Sequence, residues 1–184
     1  MNKKTRKRLI FLIDLQNCYL SAQYENTYIP NSSSVLNRID KYLKEKTDED
    51  AILMTVDTHQ HLLMTDYLSI IEKRPTFQNK DGLPKSLLLP SMLEKKVYDA
   101  IFYKDSYGLS LLHLQYLKKT YKNPSEIYIA GVDTNICVVS IIIQLQNLFP
   151  KTPIILDTSL TAAKDDLLIP KTIELLKNLN IIVK

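Results

Sequence analysis

The chain predicts an α/β fold: a doubly wound, mostly parallel six-stranded sheet with helices on both faces. Three observations carry that expectation. Six compact apolar runs recur along the 184 residues, amphipathic helical patterns lie between most of them, and charged residues stand at the carboxyl ends of the runs rather than inside them. Strands buried on both faces read as continuous aliphatic runs. Right-handed crossovers between parallel strands then lay helices over both faces of the sheet.

The first run, Leu9–Leu15 (LIFLIDL), follows a basic arm in which Lys3, Lys4, Arg6, Lys7 and Arg8 crowd residues 1–8. Basic residues before an apolar run imitate a secretory leader. This run, however, is only a strand's length, contains Asp14 and lacks a small-residue cleavage site, so it reads as strand one. A helix is expected over Ser34–Lys46, with a Ser N-cap and apolar Val35, Leu36, Ile39 and Leu43 at helical spacing. Ala51–Asp57 is the second strand. Residues 62–96, with Pro75, Pro84 and Pro90, resist the alternation: a short helical piece precedes a long irregular stretch, of the length commonly found in lids or interfaces. Regular order then returns, with strands at Tyr98–Lys104, Glu126–Val132, Pro153–Thr158 and Asn180–Val183, and helices at Ser110–Tyr121, Thr134–Leu148 and Leu168–Asn178.

Composition narrows the function classes. An apolar fraction of 45% in 184 residues suits one domain, 1–184, with a substantial core. The net charge of +4 resides mainly in the arm, which reads as a solvated tail, so no nucleic-acid partner is assigned. No run approaches the roughly 20 apolar residues of a membrane span, and two cysteines make no disulfide framework. A reducing cytoplasm and no membrane partner are expected. The only glycines are Gly82, Gly108 and Gly131, which excludes a GxGxxG nucleotide loop and a P-loop. The apolar, Pro-rich stretch Leu83–Leu93 suits either a partner surface or ordinary core packing.

Ligands of open α/β sheets gather at the carboxyl ends of the strands, where Asp14, Asp57, Lys104 and Asp133 fall. Glu126–Val139 (EIYIAGVDTNICVV) reads as strand, turn and helix, and brings Cys137 to the start of that helix. A free thiol, with a pKa of about 8.5, is a weak nucleophile at neutral pH. Helix amides and a nearby ammonium favour the thiolate, and Lys104 supplies the ammonium. A carboxylate such as Asp14 would take the thiol proton and later return it to a departing amine. Acid, ammonium and thiol together suggest covalent hydrolysis. Against this, a free cysteine is usually a buried small hydrophobe, Asp14 could cap a turn, and Lys104 could reach solvent. Cys18 reads as structural, and His113 as a surface or packing histidine.

The residues also resemble the isochorismatase-like cysteine hydrolases, which include nicotinamidases. Phe11–Tyr19 (FLIDLQNCY) is similar to that family's strand ending in Asp-x-Gln-Asn, Ala51–Tyr67 (AILMTVDTHQHLLMTDY) to its strand with an Asp-x-His signature, and Ile101–Gly108 (IFYKDSYG) to the strand presenting its lysine. Ala130–Val138 (AGVDTNICV) is similar to Gly-Val-x-Thr-Asp-x-Cys-Val, and Ile154–Ala163 (IILDTSLTAA) fits the closing strand and turn. The resemblance implies a Rossmann-like, doubly wound fold and an Asp14–Lys104–Cys137 triad. It also implies a cis peptide at Val132–Asp133, an oxyanion hole from the backbone amides of Asp133 and Cys137, and Tyr19 at a pocket-aromatic position. A small-molecule substrate and a homodimer or higher homo-oligomer belong to the same expectation.

The chain departs from the nicotinamidase pattern at the metal. Asp57 and His59 match its Asp-x-His pair, but Gln78 or its neighbours stand where a third ligand, a histidine, is expected. Gln is a poor transition-metal ligand. His61 alternates with Asp57 and His59 and would share one face with them if extended. No cofactor follows from the residues themselves; zinc or another divalent ion follows only from the resemblance. Asp133 stands where a small or apolar residue is usual, and Asn135 replaces an Asp. A charge at Asp133 would raise the thiol pKa and oppose Lys104. The expected activity is hydrolysis of the C–N bond of a small amide or carbamoyl compound through a thioester. The alternatives are a non-catalytic binding or scaffold member of the fold, and vinyl ether cleavage of the isochorismatase type.

Overall fold

The computed structural model describes residues 7–58, 70–74 by their backbone path, 83–94 and 96–184. Seven strands form one sheet: β1 (Arg8–Ile13), β2 (Asp50–Asp57), β3 (Ile70–Arg74), β4 (Tyr98–Lys104), β5 (Ile127–Val132), β6 (Ile154–Ala162) and β7 (Ile182–Val183). Their spatial order is β3-β4-β2-β1-β5-β6-β7. Every neighbouring pair is parallel except β3 with β4, which is antiparallel and pairs Ile70 with Phe102 and Arg74 with Tyr98. The six expected strands thus form the parallel part of the sheet, and β3 is an addition. Its sequence, IIEKR, has only two apolar residues, too few to signal a buried strand. As an edge strand it needs only one neighbour, and charge is usual there.

The helices are α1 (Asn17–Leu20), α2 (Ser32–Lys44), α3 (Ser91–Glu94), α4 (Leu111–Thr120), α5 (Val139–Leu148) and α6 (Ile169–Asn178). Both sheet faces are covered. Ile10, Leu12, Ile52 and Met54 pack with Val35, Ile39 and Leu43 of α2, while Leu9, Phe11, Ile13 and Leu53 pack with Leu117 of α4, Ile141 and Leu145 of α5 and Leu176 of α6. Alternate residues of β1 therefore serve opposite cores, as the pleat requires. Leu83, Leu87, Leu89 and Leu93 are buried in the α2-side core, so core packing accounts for the apolar spacing of that stretch.

Two boundaries differ instructively from expectation. Helix α2 starts at Ser32 rather than Ser34, and its N-cap is Asn31, in the left-handed region at φ 63°. The serines are otherwise engaged: Ser32 donates its hydroxyl to the Tyr19 carbonyl at 3.0 Å and Ser34 to the Asn31 carbonyl at 2.8 Å. Strand β1 stops at Ile13 rather than Leu15, because Asp14 leaves the ladder at φ 50°. Next to it, Gly131 of β5 sits at φ 128°, and a Cβ there would lie 2.2 Å from the Ile13 carbonyl oxygen. Only glycine lets β5 close on β1 at this point.

Candidate active site

Strand order reverses between β1 and β5. From β1 the chain builds outward through β2 to β4, then returns to place β5, β6 and β7 on the other side. Such a switch point opens a crevice at the carboxyl ends of the strands. Here the ends of β1, β2, β4 and β5 deliver Asp14, Asp57, Lys104 and the turn carrying Cys137.

Asp14 is fully buried. Its amide donates to Thr55 Oγ1 at 3.1 Å, and the Thr55 hydroxyl donates to Asp14 Oδ1 at 2.7 Å, so β2 fixes the carboxylate's orientation. Its other oxygen, Oδ2, lies 2.8 Å from Lys104 Nζ. The Lys104 side chain is 1% exposed. Its ammonium donates to the Ser106 carbonyl at 2.9 Å, to Asp57 Oδ2 at 3.4 Å and toward Cys137 Sγ at 3.7 Å. Cys137 occupies a π-helical turn, Thr134–Val138, between β5 and α5, and is 7% exposed. The three residues expected as a triad are therefore brought together, with Lys104 at the centre. The peptide between Val132 and Asp133 is cis, as the resemblance implies.

Burial pushes the Cys137 thiol up from its ordinary value, and the Asp14 and Asp57 carboxylates push it further, outweighing Lys104. Burial and the two carboxylates thus act against the thiolate that the helix start and Lys104 favour. Burial acts to lower the Lys104 pKa, but the neighbouring Asp14, Cys137 and Asp57 outweigh it and raise it, which favours the ammonium. Tyr19, partly buried, has its phenol raised by burial and then by Asp57, Asp14, Cys18 and Cys137.

Several contributors carried no sequence signal of their own. Gln16 is fully buried; its amide donates to the carbonyls of Asp57 and Leu87 at 2.8 and 2.9 Å and accepts from the Asp57 amide at 2.8 Å. Asn17 donates to Leu88 and Lys85 carbonyls at 2.8 and 3.0 Å. The Gln-Asn pair within FLIDLQNCY thus ties the ends of β1 and β2 to residues 85–88, and its presence in that motif was the one clue. Thr55 and Ser106 join only through the fold. The Asp133 carboxylate accepts the amides of Asn135 and Lys164, both at 2.8 Å. Cys18 is buried and borders a cavity of about 430 Å³ lined also by Tyr24, Thr27 and Leu87, with its thiol pushed up to about 12 by burial and by Asp14 and Asp57. His113 is a packing residue, fully buried, closing a capping box with Ser110 and tilted against Phe102.

The metal expectation meets the structure only at Asp57; His59, His61 and Gln78 lie outside the described residues. Among the described residues one group of carboxylates and thiol, Asp14, Asp57 and Cys137, has its ligand atoms within 4.8 Å of one another. Those three atoms already converge on Lys104 Nζ, whose charge occupies the place an ion would take. They do not fit a divalent cation.

No family model and no curated relative matches the sequence. Solved structures do match along nearly the whole chain. An isochorismatase-like hydrolase from Alkaliphilus metalliredigens superposes with a TM-score of 0.73 at 17% identity, covering 97% of this chain and 94% of that one. The fold is that of the isochorismatase-like hydrolases. The nicotinamidase SaPncA from Staphylococcus aureus shares the isochorismatase-like fold at a TM-score of 0.72 and 16% identity, covering 97% and 99%. A Pyrococcus horikoshii pyrazinamidase, solved in complex with zinc, gives a TM-score of 0.66 at 17% identity over 97% and 98%. Among the described residues, no helix of this chain is long and apolar enough to cross a membrane.

Proposed function

We propose that this protein is a cysteine amidohydrolase that cleaves the C–N bond of a small amide or carbamoyl compound through a thioester. One observation carries the reading: a buried ammonium stands between a carboxylate at 2.8 Å and a thiol at 3.7 Å, at the switch point of an isochorismatase-like fold. In the mechanism, Asp14 takes the Cys137 proton as the sulfur attacks the carbonyl, and Lys104 stabilises the thiolate that forms. Proton transfer to Asp14 accompanies the attack, and Lys104, 2.8 Å away, holds that carboxylate in place. The amides of Asp133 and Cys137 receive the oxyanion, a contribution worth about 2.7–4 kcal/mol per donor in well-studied hydrolases. Asp14 then protonates the leaving amine and activates the water that hydrolyses the thioester to a carboxylate. Tyr19 forms one wall of the pocket.

The experiment is a screen of small amides for ammonia release by the parent and Cys137→Ala proteins, with and without chelator, with intact-mass analysis for an acyl adduct on Cys137. An adduct in the parent, with turnover lost in the variant by about 10⁴-fold or more, is the expected result. Turnover that persists in Cys137→Ala would sink the nucleophile. Ammonia released without an adduct would sink the thioester step, vinyl ether cleavage is read from a vinyl ether substrate run beside the amides, and the chelator arm reports metal dependence directly.

A further inference from the structure

The two positions at which the nucleophile turn departs from its relatives' pattern, Asp133 and Asn135, are engaged in one hydrogen-bonded clamp. Asp133 Oδ1 accepts the Asn135 amide and Oδ2 accepts the Lys164 amide, both at 2.8 Å. Asn135 Nδ2 donates to the Asp165 carbonyl and Asn135 Oδ1 accepts the Thr172 hydroxyl, again both at 2.8 Å. Inside the same turn, the Asp133 carbonyl accepts the amides of Ile136 and Val138 at 3.2 and 3.0 Å, on either side of Cys137. The turn is therefore fastened from within by the Asp133 backbone and from outside by residues 164–172. An apolar residue at 133 would lose both carboxylate bonds. An Asp at 135 has no N–H to give Asp165 and would set a carboxylate against its carbonyl. The two departures thus make sense as a pair.

We propose that Asp133 and Asn135 are positioning residues that lock the Cys137 turn to the start of α6, so that a bond from Thr172, far along the chain, sets where the sulfur stands relative to Asp14 and Lys104. The inference rests on the proposed role of Cys137 as nucleophile. Thr172 touches none of the reacting groups described here, which makes it the discriminating site. The measurement is the rate at which iodoacetamide alkylates Cys137, followed by peptide mass spectrometry at fixed pH in Asn135→Asp, Thr172→Val and Thr172→Ser, beside their melting temperatures. Misplacement of a reacting group by about 1 Å can change a rate a hundredfold, so a change of about tenfold or more is expected in Asn135→Asp and Thr172→Val. Thr172→Ser keeps the hydroxyl and should restore the parent rate. For any amide found to be a substrate, kcat falls with KM unmoved.

An unchanged alkylation rate in Thr172→Val, or an equal change in Thr172→Ser, overturns the proposal; a lower melting temperature with parental alkylation shows a purely structural tie and overturns it as well. Alkylation needs no substrate. If the variants behave as expected while no amide is hydrolysed, the proposed reaction fails and the clamp stands.

Discussion

At the scale of single residues, the site is governed by how two carboxylates and a thiol share one ammonium. Asp14 and Asp57 both approach Lys104, at 2.8 and 3.4 Å, so two carboxyl groups compete for one cation. Removing the cation leaves Asp14 buried and uncompensated. Lys104→Met should therefore cost about 3–5 kcal/mol of stability, measurable by urea unfolding, a penalty typical of breaking a buried pair from one side. The same balance sets the sulfur's response to pH. Since burial, Asp14 and Asp57 together raise the Cys137 thiol, its thiolate fraction keeps growing with pH well past the range where an ordinary cysteine levels off. Alkylation of Cys137 should accordingly climb without a plateau up to about pH 9.5, the expectation for a thiol above the ordinary pKa of about 8.5. A plateau near neutrality would show that the thiolate, not the thiol, is the resting form.

Among the elements, the decisive fit is between β1 and β5. Their registered pairs bring Ile13 opposite Gly131, directly before Asp14 leaves one strand and the cis bond ends the other. A methyl at 131 would meet Ile13 backbone atoms at 2.2, 2.6 and 2.8 Å, none of which can rotate away. Gly131→Ala is expected to destabilise by about 2–4 kcal/mol, since it adds both left-handed strain and a backbone clash. It should also speed Cys137 alkylation at fixed pH, because spreading these two strands moves away the Asp14 carboxylate that holds the thiol up. Gln16 acts at the same scale: one side-chain amide substitutes for a ladder step between β1 and β2 beyond the end of β1. The helix-capping bonds of Ser110 with His113 hold α4 over Phe102 on the opposite core.

For the molecule as a whole, the amino end of the sheet is stapled by an ion pair as the carboxyl end is by Lys104. Arg8 donates from Nε and Nη2 to the two oxygens of Asp50 at 2.7 and 2.8 Å, joining β1 to β2 where the parallel ladder begins. Burial acts to raise the Asp50 carboxyl, but the Arg8 fork and the Thr47 amide outweigh it and hold it below the ordinary range. A carboxylate whose pKa is depressed on folding adds stability above its unfolded value of about 3.9, and that stability drains away as pH falls through the folded value. The melting temperature should therefore fall on acidification below about pH 4, and less steeply in Arg8→Ala, whose loss at neutral pH should be about 2–3 kcal/mol. An identical acid slope in both proteins would remove this pair from the account.

By itself the sequence determined the six parallel strands, the helices on both faces and the residues at the strand ends, because buried strands demand aliphatic runs and polar groups must leave them. It also carried Asp14, Lys104 and Cys137 as candidates, through residue type and position in motifs. Tertiary structure alone decided that Lys104 stands between both carboxylates and the thiol, that burial and those carboxylates push the thiol upward, and that the Asp133 carboxylate accepts the Asn135 and Lys164 amides. It alone added β3, whose two apolar residues are legible only beside β4. The division has a physical cause: periodicity records what each segment buries, whereas charge coupling depends on distances between groups some 120 residues apart, such as Asp14 and Cys137, which nothing local encodes.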